Sequence, residues 1–240
     1  MSVRDQAIGL IPARGGSKSI PLKNLVPLAG RPMIAYVIAA GKSAKTLDSV
    51  ICSTDNERIA DVCRAEAVEI LPRPPALAQD DSPVADVVRD VLVRLRDRDG
   101  RMPAMVALLQ PTSPLLLPEH IDACVSALRE RPDADSAQTV TPVAHNAHAY
   151  NQRVIENGTV SFRFLAERRV AYNKQRKPAH FLFGNVVVTR STALLDGKDC
   201  FGDVSIPVIV PRLYAFDVDT AEDVELAAYL IRAGKVDPLP

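Results

Sequence analysis

Short apolar runs separated by helical periods constrain this chain more than any other feature. Residues 7–11, 50–52 and 105–109 are brief and bounded by polar or turn residues, as expected of strands buried on both faces. Between them the period changes. Residues 32–44 carry a helical pattern after a turn at Gly30, and Ile59, Val62 and Cys63 show i, i+3, i+4 spacing behind Asp55 as the expected cap. Val84, Val87, Val88, Val91, Leu92 and Leu95 repeat that spacing over three turns, with Ser82 as the expected cap and Pro83 in the first turn. A further helix is expected over 118–129 with Ile121, Cys124, Val125 and Leu128 inward. Thr220 and Asp223 read as a capping box for a last helix ending near residue 232. Strand alternating with helix predicts an α/β fold with a mostly parallel sheet covered on both faces.

In such a sheet ligands collect beyond the carboxyl ends of the strands. The polar motifs fall there: LIPARGGSKSIPLKN at 10–24 after the first run, STDN at 53–56 after the second, QPTSP at 110–114 after the third. The first of these sets Gly15 and Gly16 among Arg14, Lys18 and Lys23. It has neither the G-x-x-x-x-G-K-[ST] nor the G-x-G-x-x-G spacing, which excludes a P-loop and a dinucleotide fingerprint. Its chemistry is still that of a polyphosphate site, because glycines allow a tight turn with accessible N–H groups and three cations can neutralise a triphosphate. An ordinary cationic surface loop has the same spacing.

Asp217 and Asp219 follow an apolar run at 213–216 that reads as a strand, so in extended backbone both carboxylates point to one side. Two like charges so close repel unless a cation lies between them, and Mg²⁺ suits carboxylate oxygens. The alternative is that Asp219 supports the last helix beside Thr220 while Asp217 is solvated.

Twenty-nine basic and 29 acidic residues cancel, which removes a global attraction for nucleic acid or an anionic membrane. No apolar stretch reaches the length of a membrane span, and the apolar run near the N-terminus is too short for a signal peptide, so a cytoplasmic protein is expected. Cys52, Cys63, Cys124 and Cys200 form no C-x-x-C pair, which argues against zinc and a disulfide framework; the first three read as small buried hydrophobes. A chain of 240 residues with 47% apolar content is expected to form one domain over 1–240. Residues 139–177 break the pattern: they lack a long helical period and contain an Asn157-Gly158 hairpin signal, so they read as an excursion from the sheet.

The wording IPARGGSK, IPLKN and LAGRPMI closely resembles the opening of the acylneuraminate cytidylyltransferases, enzymes that join CMP from CTP to an acidic sugar. The resemblance recurs at STDN, at RPPALAQDDSP (73–83), at QPTSP and at DVDTAED (217–223), and weakens over 145–185. It implies the three-layer, Rossmann-like fold of the nucleotide-diphosphosugar transferases and a magnesium-dependent transfer of CMP with release of pyrophosphate. By the same resemblance Ala13, Arg14, Gly15, Lys18 and Lys23 belong to the nucleotide site, with Arg14 and Lys23 on the triphosphate. Asn24, Arg73 and Ser82 match positions that hold the cytidine, Gln110 one that faces the acceptor, and Asp217 and Asp219 the metal pair. The excursion of such enzymes pairs two subunits and lends residues to the neighbour's acceptor pocket, so a homodimer is expected.

The chain departs from the family pattern on the acceptor side. A His-His-Pro-x-Lys run becomes His145, Asn146, Ala147, His148, Ala149, without the lysine. The Arg-x-Gln and Asn-Gly elements appear only as Gln175, Arg176 and as Phe183, Gly184, Asn185. His145, His148 and Gln175 are the expected acceptor contacts, since an imidazole titrating near neutrality can hold an anion or take its proton. The same histidines also read as surface residues. A sialic-type nonulosonic acid is the leading acceptor and a small phosphonate, such as phosphonoformate, the alternative. An inactive nucleotide-binding regulatory subunit is the rival from another class.

Overall fold

Eleven strands and seven α-helices follow one another through residues 6–100 and 102–238, the residues that the computed structural model describes. Residues 1–5, the start of the stretch read above for a signal peptide, lie outside them. The strands are β1 (Ala7–Pro12), β2 (Pro27–Leu28), β3 (Arg31–Pro32), β4 (Ser49–Thr54), β5 (Glu69–Pro72), β6 (Met105–Leu109), β7 (Ser136–Pro142), β8 (Arg153–Glu156), β9 (Thr159–Phe162), β10 (Phe181–Arg190) and β11 (Ser205–Ile209). The helices are α1 (Met33–Ser43), α2 (Glu57–Ala65), α3 (Val84–Asp99), α4 (Pro118–Glu130), α5 (Leu165–Val170), α6 (Ser191–Leu195) and α7 (Ala221–Arg232). Seven strands form one sheet in the order β11-β7-β10-β6-β1-β4-β5, in which only β10 runs antiparallel to its neighbours.

Side-chain alternation divides the core into two layers. In β1, Ala7 and Ile11 face a cluster built by α1, α2 and α4, while Ile8 and Leu10 face one built by α3 and α6. In β6, Met105, Ala107 and Leu109 take the first side and Val106 and Leu108 the second. Because both faces are covered, these strands read as unbroken apolar runs, and the sheet is the middle of three layers. The expected inward face of α4 is buried, and all four cysteines are buried and free. A third cluster seats α7 against Leu28, Met33 and Tyr36. Among the described residues no helix is long and apolar enough to cross a membrane.

Several expected boundaries are corrected. Asn56, not Asp55, caps α2: its Oδ1 accepts from the N–H groups of Arg58 at 3.0 Å and Ile59 at 3.3 Å, because the helix begins at Glu57. Pro83 itself occupies the cap position of α3 in an extended conformation, and Ser82 donates its hydroxyl to the Ala76 carbonyl at 3.3 Å. The 213–216 run is a turn rather than a strand, closed by Tyr214 N–H to Pro211 O at 3.0 Å and Ala215 N–H to Arg212 O at 3.2 Å. The last strand lies earlier, at β11. The Thr220–Asp223 capping box forms as expected. β7 pairs with β10 as far as Pro142, past the expected start of the excursion, and β10 begins at Phe181. Between them Asn157, with φ 50°, and Gly158, with φ 74°, turn the β8–β9 hairpin.

Candidate active site

Chain order reverses direction across the sheet at β1: β4 and β5 lie on one side of it, β6 on the other. The connections leaving the carboxyl ends of β1 and β6 therefore part, and a crevice opens between them. It is a cleft of about 510 Å³ lined by Arg14, Lys18, Lys23 and Asn24 from the first loop and Gln110 and Thr112 from the second. A second hollow of about 210 Å³, lined by Arg73, Gln79 and Ser82, shares Pro12, Arg14, Asp80 and Val84 with the first. Arg73 and Ser82, expected on the cytidine, thus adjoin the phosphate-side cleft through Arg14 and Asp80, whereas Asn24, expected with them, lines the first cleft.

The loop after β1 is fixed from both ends. Ala13, fully buried, donates its N–H to the Ser53 carbonyl at 3.0 Å, and Gly15 donates to the Asp55 carboxylate at 2.8 Å. A Cβ on Gly15 would stand 2.7 Å from the Asn56 amide nitrogen, so only glycine permits this approach. The Gly15 amide is consequently engaged inside the chain, and Gly16 lines the cleft instead. Asn24, buried, donates its side-chain amide to the Arg14 carbonyl at 3.0 Å and closes the loop. Arg73 is also buried: its guanidinium donates to the Ser53 carbonyl at 2.9 Å, and burial lowers its pKa while the Asp55 charge opposes that shift.

Each loop cation has a carboxylate partner. Asp80 meets Arg14 at 2.7 Å and Lys18 at 2.7 Å, and those hydrogen bonds, Lys18 first, hold its carboxyl below the ordinary range. Lys23 donates to the Val218 carbonyl at 2.9 Å and pairs with Asp219 at 3.0 Å. Asp55, expected as a helix cap, instead holds the Gly15 amide, and Asp80 has no role legible from its spacing alone. The Asp80-Asp81 doublet, two acids just before a helix start in a proline-rich stretch, was the signal available.

Val218 is fully buried in the cluster with Leu28, Met33 and Ala227, so the residues on either side of it are turned away from that core. Its N–H donates to the Thr112 carbonyl at 2.8 Å. Although Asp217 as a residue is exposed, protein around its carboxylate displaces enough water to raise its pKa. A hydrogen bond with Thr112 opposes that shift, and the neighbouring Asp219 charge adds to it. Asp219 and Thr220 both donate backbone N–H groups to Asp223, at 3.0 and 2.8 Å, which ties the Asp-x-Asp segment to the first turn of α7.

On the expected acceptor side the outcome is mixed. Gln110 lines the cleft, whereas His145, His148 and Gln175 belong to the excursion and do not line it. His148 is buried with both ring nitrogens used: Nδ1 accepts from the Tyr150 N–H at 3.1 Å, and Nε2 donates to the Pro178 carbonyl at 3.0 Å. Its ring stacks on His180 at 4.1 Å between centroids. His148 is therefore a packing residue of the excursion in this conformation. His145 and Gln175 are exposed; burial effects and then the charges of Lys177 and Lys174 lower the His145 pKa.

The remaining histidine was assigned nothing from sequence. His120, buried at the start of α4, accepts on Nδ1 from the Leu117 N–H at 3.3 Å and from the Asn185 amide at 3.0 Å. Two donors on one nitrogen require the neutral ring, and burial lowers the His120 pKa, with the Glu119 charge opposing. Folding then favours the unprotonated form. The stability this contributes is complete above the unfolded-state pKa of about 6.5 and is lost as pH falls through the lower folded-state value. Between pH 7 and pH 5 the wild-type protein is expected to lose more thermal stability than His120→Asn, which cannot titrate; parallel melting curves in that range would contradict it.

The family described as Cytidylyltransferase matches residues 8–191. Over 226 residues the chain is 28% identical to CMP-N,N'-diacetyllegionaminic acid synthase of Legionella pneumophila, covering 93% of this chain and 95% of that protein. It is 29% identical to an N-acylneuraminate cytidylyltransferase of Escherichia coli, over 94% of this chain and 52% of that one. With N-acylneuraminate cytidylyltransferase A of Danio rerio the identity is 36%, over 62% of this chain and 32% of the other. The chain thus spans about half or less of the length of the last two. Among solved structures, CMP:2-keto-3-deoxy-manno-octonic acid synthetase complexed with CTP superposes with a TM-score of 0.71 at 17% identity, covering 95% of this chain and 99% of that one. A 4-diphosphocytidyl-2C-methyl-D-erythritol synthase gives 0.65 at 14%, over 96% and 100%. These two establish the three-layer fold. With the family matched over most of the sequence, on a fold and a cleft of this kind, the chain belongs to the cytidylyltransferase family.

Proposed function

We propose that this chain transfers CMP from CTP to a sugar acid with release of pyrophosphate. The observation that carries the reading is the cleft at the β1/β6 reversal, where three cations from one loop face Gln110 and Thr112 across a space of about 510 Å³. An acceptor oxygen forms a bond to the α-phosphorus as the bond to the β-phosphate breaks. Arg14, Lys18 and Lys23 hold the phosphates and offset charge on the departing pyrophosphate, a task of positioning and electrostatics. Arg73 and Ser82 receive the cytidine in the adjoining hollow with Asn24 reaching it from the main cleft, and Gln110 faces the acceptor, donating and accepting hydrogen bonds.

Asp217 and Asp219 are the residues that would hold Mg²⁺. Their donor set fits: two carboxylates on either side of the buried Val218 suit an ion that completes its shell with water and phosphate. Bound there, Mg²⁺ supplies charge neutralisation at the phosphates. The acceptor is a nonulosonic or 3-deoxy-octulosonic type of acid, since the relatives above are named for such acids. None of those names supports the phosphonate alternative.

The reading is tested by pyrophosphate release from CTP with sialic-type, legionaminic-type and 3-deoxy-octulosonic acids and with small phosphonates. One sugar acid is expected to be turned over; no release with any of them would refute the proposal. In the same assay Asp217→Asn and Asp219→Asn should each lower kcat by about 100-fold or more while leaving the CTP dissociation constant within a few-fold, as befits charge stabilised in the transition state. Near-normal turnover by both at low magnesium would remove the metal assignment.

Asp80 competes with phosphate for Arg14 and Lys18. Exposed ion pairs are individually weak and easily exchanged, so Asp80→Asn should tighten pyrophosphate binding by only about threefold to tenfold by calorimetry. Weaker binding would mean that Asp80 orients Arg14 rather than occupying it.

The excursion leaves Ile155 77% exposed, Val170 74% and Val160 64%, with Tyr172 also open to solvent. Apolar side chains gathered on one protrusion suit burial against a second copy, which supports the homodimer expected above. Light scattering should give twice the chain mass for the wild type and a monomer for Ile155→Asp combined with Val170→Asp; a monomeric wild type would refute it.

A further inference from the structure

β10 departs from regular pairing with β7 between Phe183 and Val187, and one hydroxyl organises the irregularity. Thr139 Oγ1 accepts from the N–H groups of Asn185 at 2.8 Å and Val186 at 3.1 Å, and lies 3.0 Å from the Asn185 Oδ1. It reaches them because residue 184 has no side chain: a Cβ there would stand 2.7 Å from the Thr139 Cβ. Irregularities of this kind re-aim a side chain. Here the Asn185 amide points inward, fully buried, and its Nδ2 donates to His120 Nδ1 at 3.0 Å and to the Tyr214 carbonyl at 3.0 Å. Both amide protons and the amide oxygen are engaged, so Asn185 has no amide hydrogen left to donate to an acceptor molecule.

The Tyr214 carbonyl starts the segment that leads to Asp217. That segment is pinned again at Val218, whose N–H meets Thr112 and whose carbonyl meets Lys23. Asp217 lies between the two anchors, and the Tyr214 ring packs edge-on against His120 at 5.4 Å between centroids. No regular ladder holds residues 211–220, so the first anchor depends on side chains alone.

We propose that Asn185 and His120 are positioning residues of the transfer reaction, fixing through the Tyr214 carbonyl where the Asp217–Asp219 segment stands against the cleft. This rests on the function proposed above for Asp217 and Asp219. His120 fixes which way the Asn185 amide faces, because its unprotonated Nδ1 takes one amide hydrogen and the Tyr214 carbonyl takes the other.

The test compares His120→Leu, which removes the acceptor, with His120→Asn, whose Oδ1 can replace Nδ1, and with Asn185→Ala. The alanine change leaves room for water beside the freed partners, so it keeps a folded protein available should the leucine variant not fold. Hydrogen exchange on the free protein reads the anchor without any ligand. In His120→Leu and Asn185→Ala the amides of 214–219 should exchange at least tenfold faster while those of β1 and β6 are unchanged, and His120→Asn should restore protection. With CTP and the acceptor found active, kcat should fall about tenfold or more in the first two variants while KM for CTP stays within about threefold. Unchanged exchange at 214–219, faster exchange spread evenly through the sheet, or equal damage in His120→Asn and His120→Leu would overturn the proposal. Failure of every acceptor with the wild type would instead refute the function while the exchange result still judges the anchor.

Discussion

Everything at the cleft depends on the double parallel pairing of β1. With β4 on one side and β6 on the other, and helices over both faces, the strand leaves its backbone and side chains no freedom to shift. The chain emerging at Ala13 is held in the same frame by its bond to the Ser53 carbonyl, one residue beyond the ladder. A loop with two adjacent glycines would otherwise sample many shapes, and ordering it costs more entropy than ordering most other residues. Here the cost is met by contacts from β4 and α2: Ser53, Asp55 and Asn56 are consecutive or nearly so, and each shapes the loop of β1 or the guanidinium of Arg73 beside it. STDN thus acts as a template for the first motif rather than as a site of its own.

The charge arrangement follows from the same economy of space. Three cations in a concave surface repel one another, and each is balanced from a segment distant in sequence: Asp80 from the stretch before α3, Asp219 from the stretch before α7. These carboxylates stand where anionic oxygens of a ligand would be favourable. They are exposed enough to move, 48% for Asp80 and 73% for Asp219, whereas Lys23 at 14% is not. Lys23 is the fixed member because its ammonium also serves the Val218 carbonyl, which makes it both a ligand cation and a support for the acidic segment.

The elements legible in the sequence were those set by local periodicity over several turns or by double-faced burial: β1, β6, α3, α4, the hairpin at Asn157-Gly158 and the Thr220 capping box. What misled was chemistry that only distant partners decide. Asp55 reads as a helix cap as well as Asn56 does, until Gly15 arrives with an unsatisfied N–H. Ser82 beside Pro83 has the composition of a cap, but the proline already holds the extended conformation the cap requires, and the hydroxyl turns back to Ala76. Residues 213–216 are apolar enough for a strand but find no neighbouring ladder, and so close on themselves as a turn. His148 looked like an exposed anion contact because no local pattern announces Pro178 or His180 as its partners.

The divergence of the acceptor side has a physical counterpart in the sheet. The resemblance implies an asparagine before the glycine; here Phe183 holds that place and the asparagine follows Gly184, two positions on, which regular pleating would keep on the face of Phe183 and Val187, so the break in pairing is what turns Asn185 to the His120 side. At that break Thr139 captures the backbone of Asn185 and Val186, and the Asn185 amide is spent on His120 and the Tyr214 carbonyl. Phe183 is left to pack edge-on against Phe201 at 5.5 Å, an apolar contact where the relatives' pattern has a polar residue. The strand thereby gains a buried tie, through the Tyr214 carbonyl, to the segment that carries Asp217. What reads in the sequence as a departure at Phe183, Gly184 and Asn185 is, in the fold, a glycine and a break in pairing that turn one strand residue's hydrogen bonds toward the loop leading to the acidic pair.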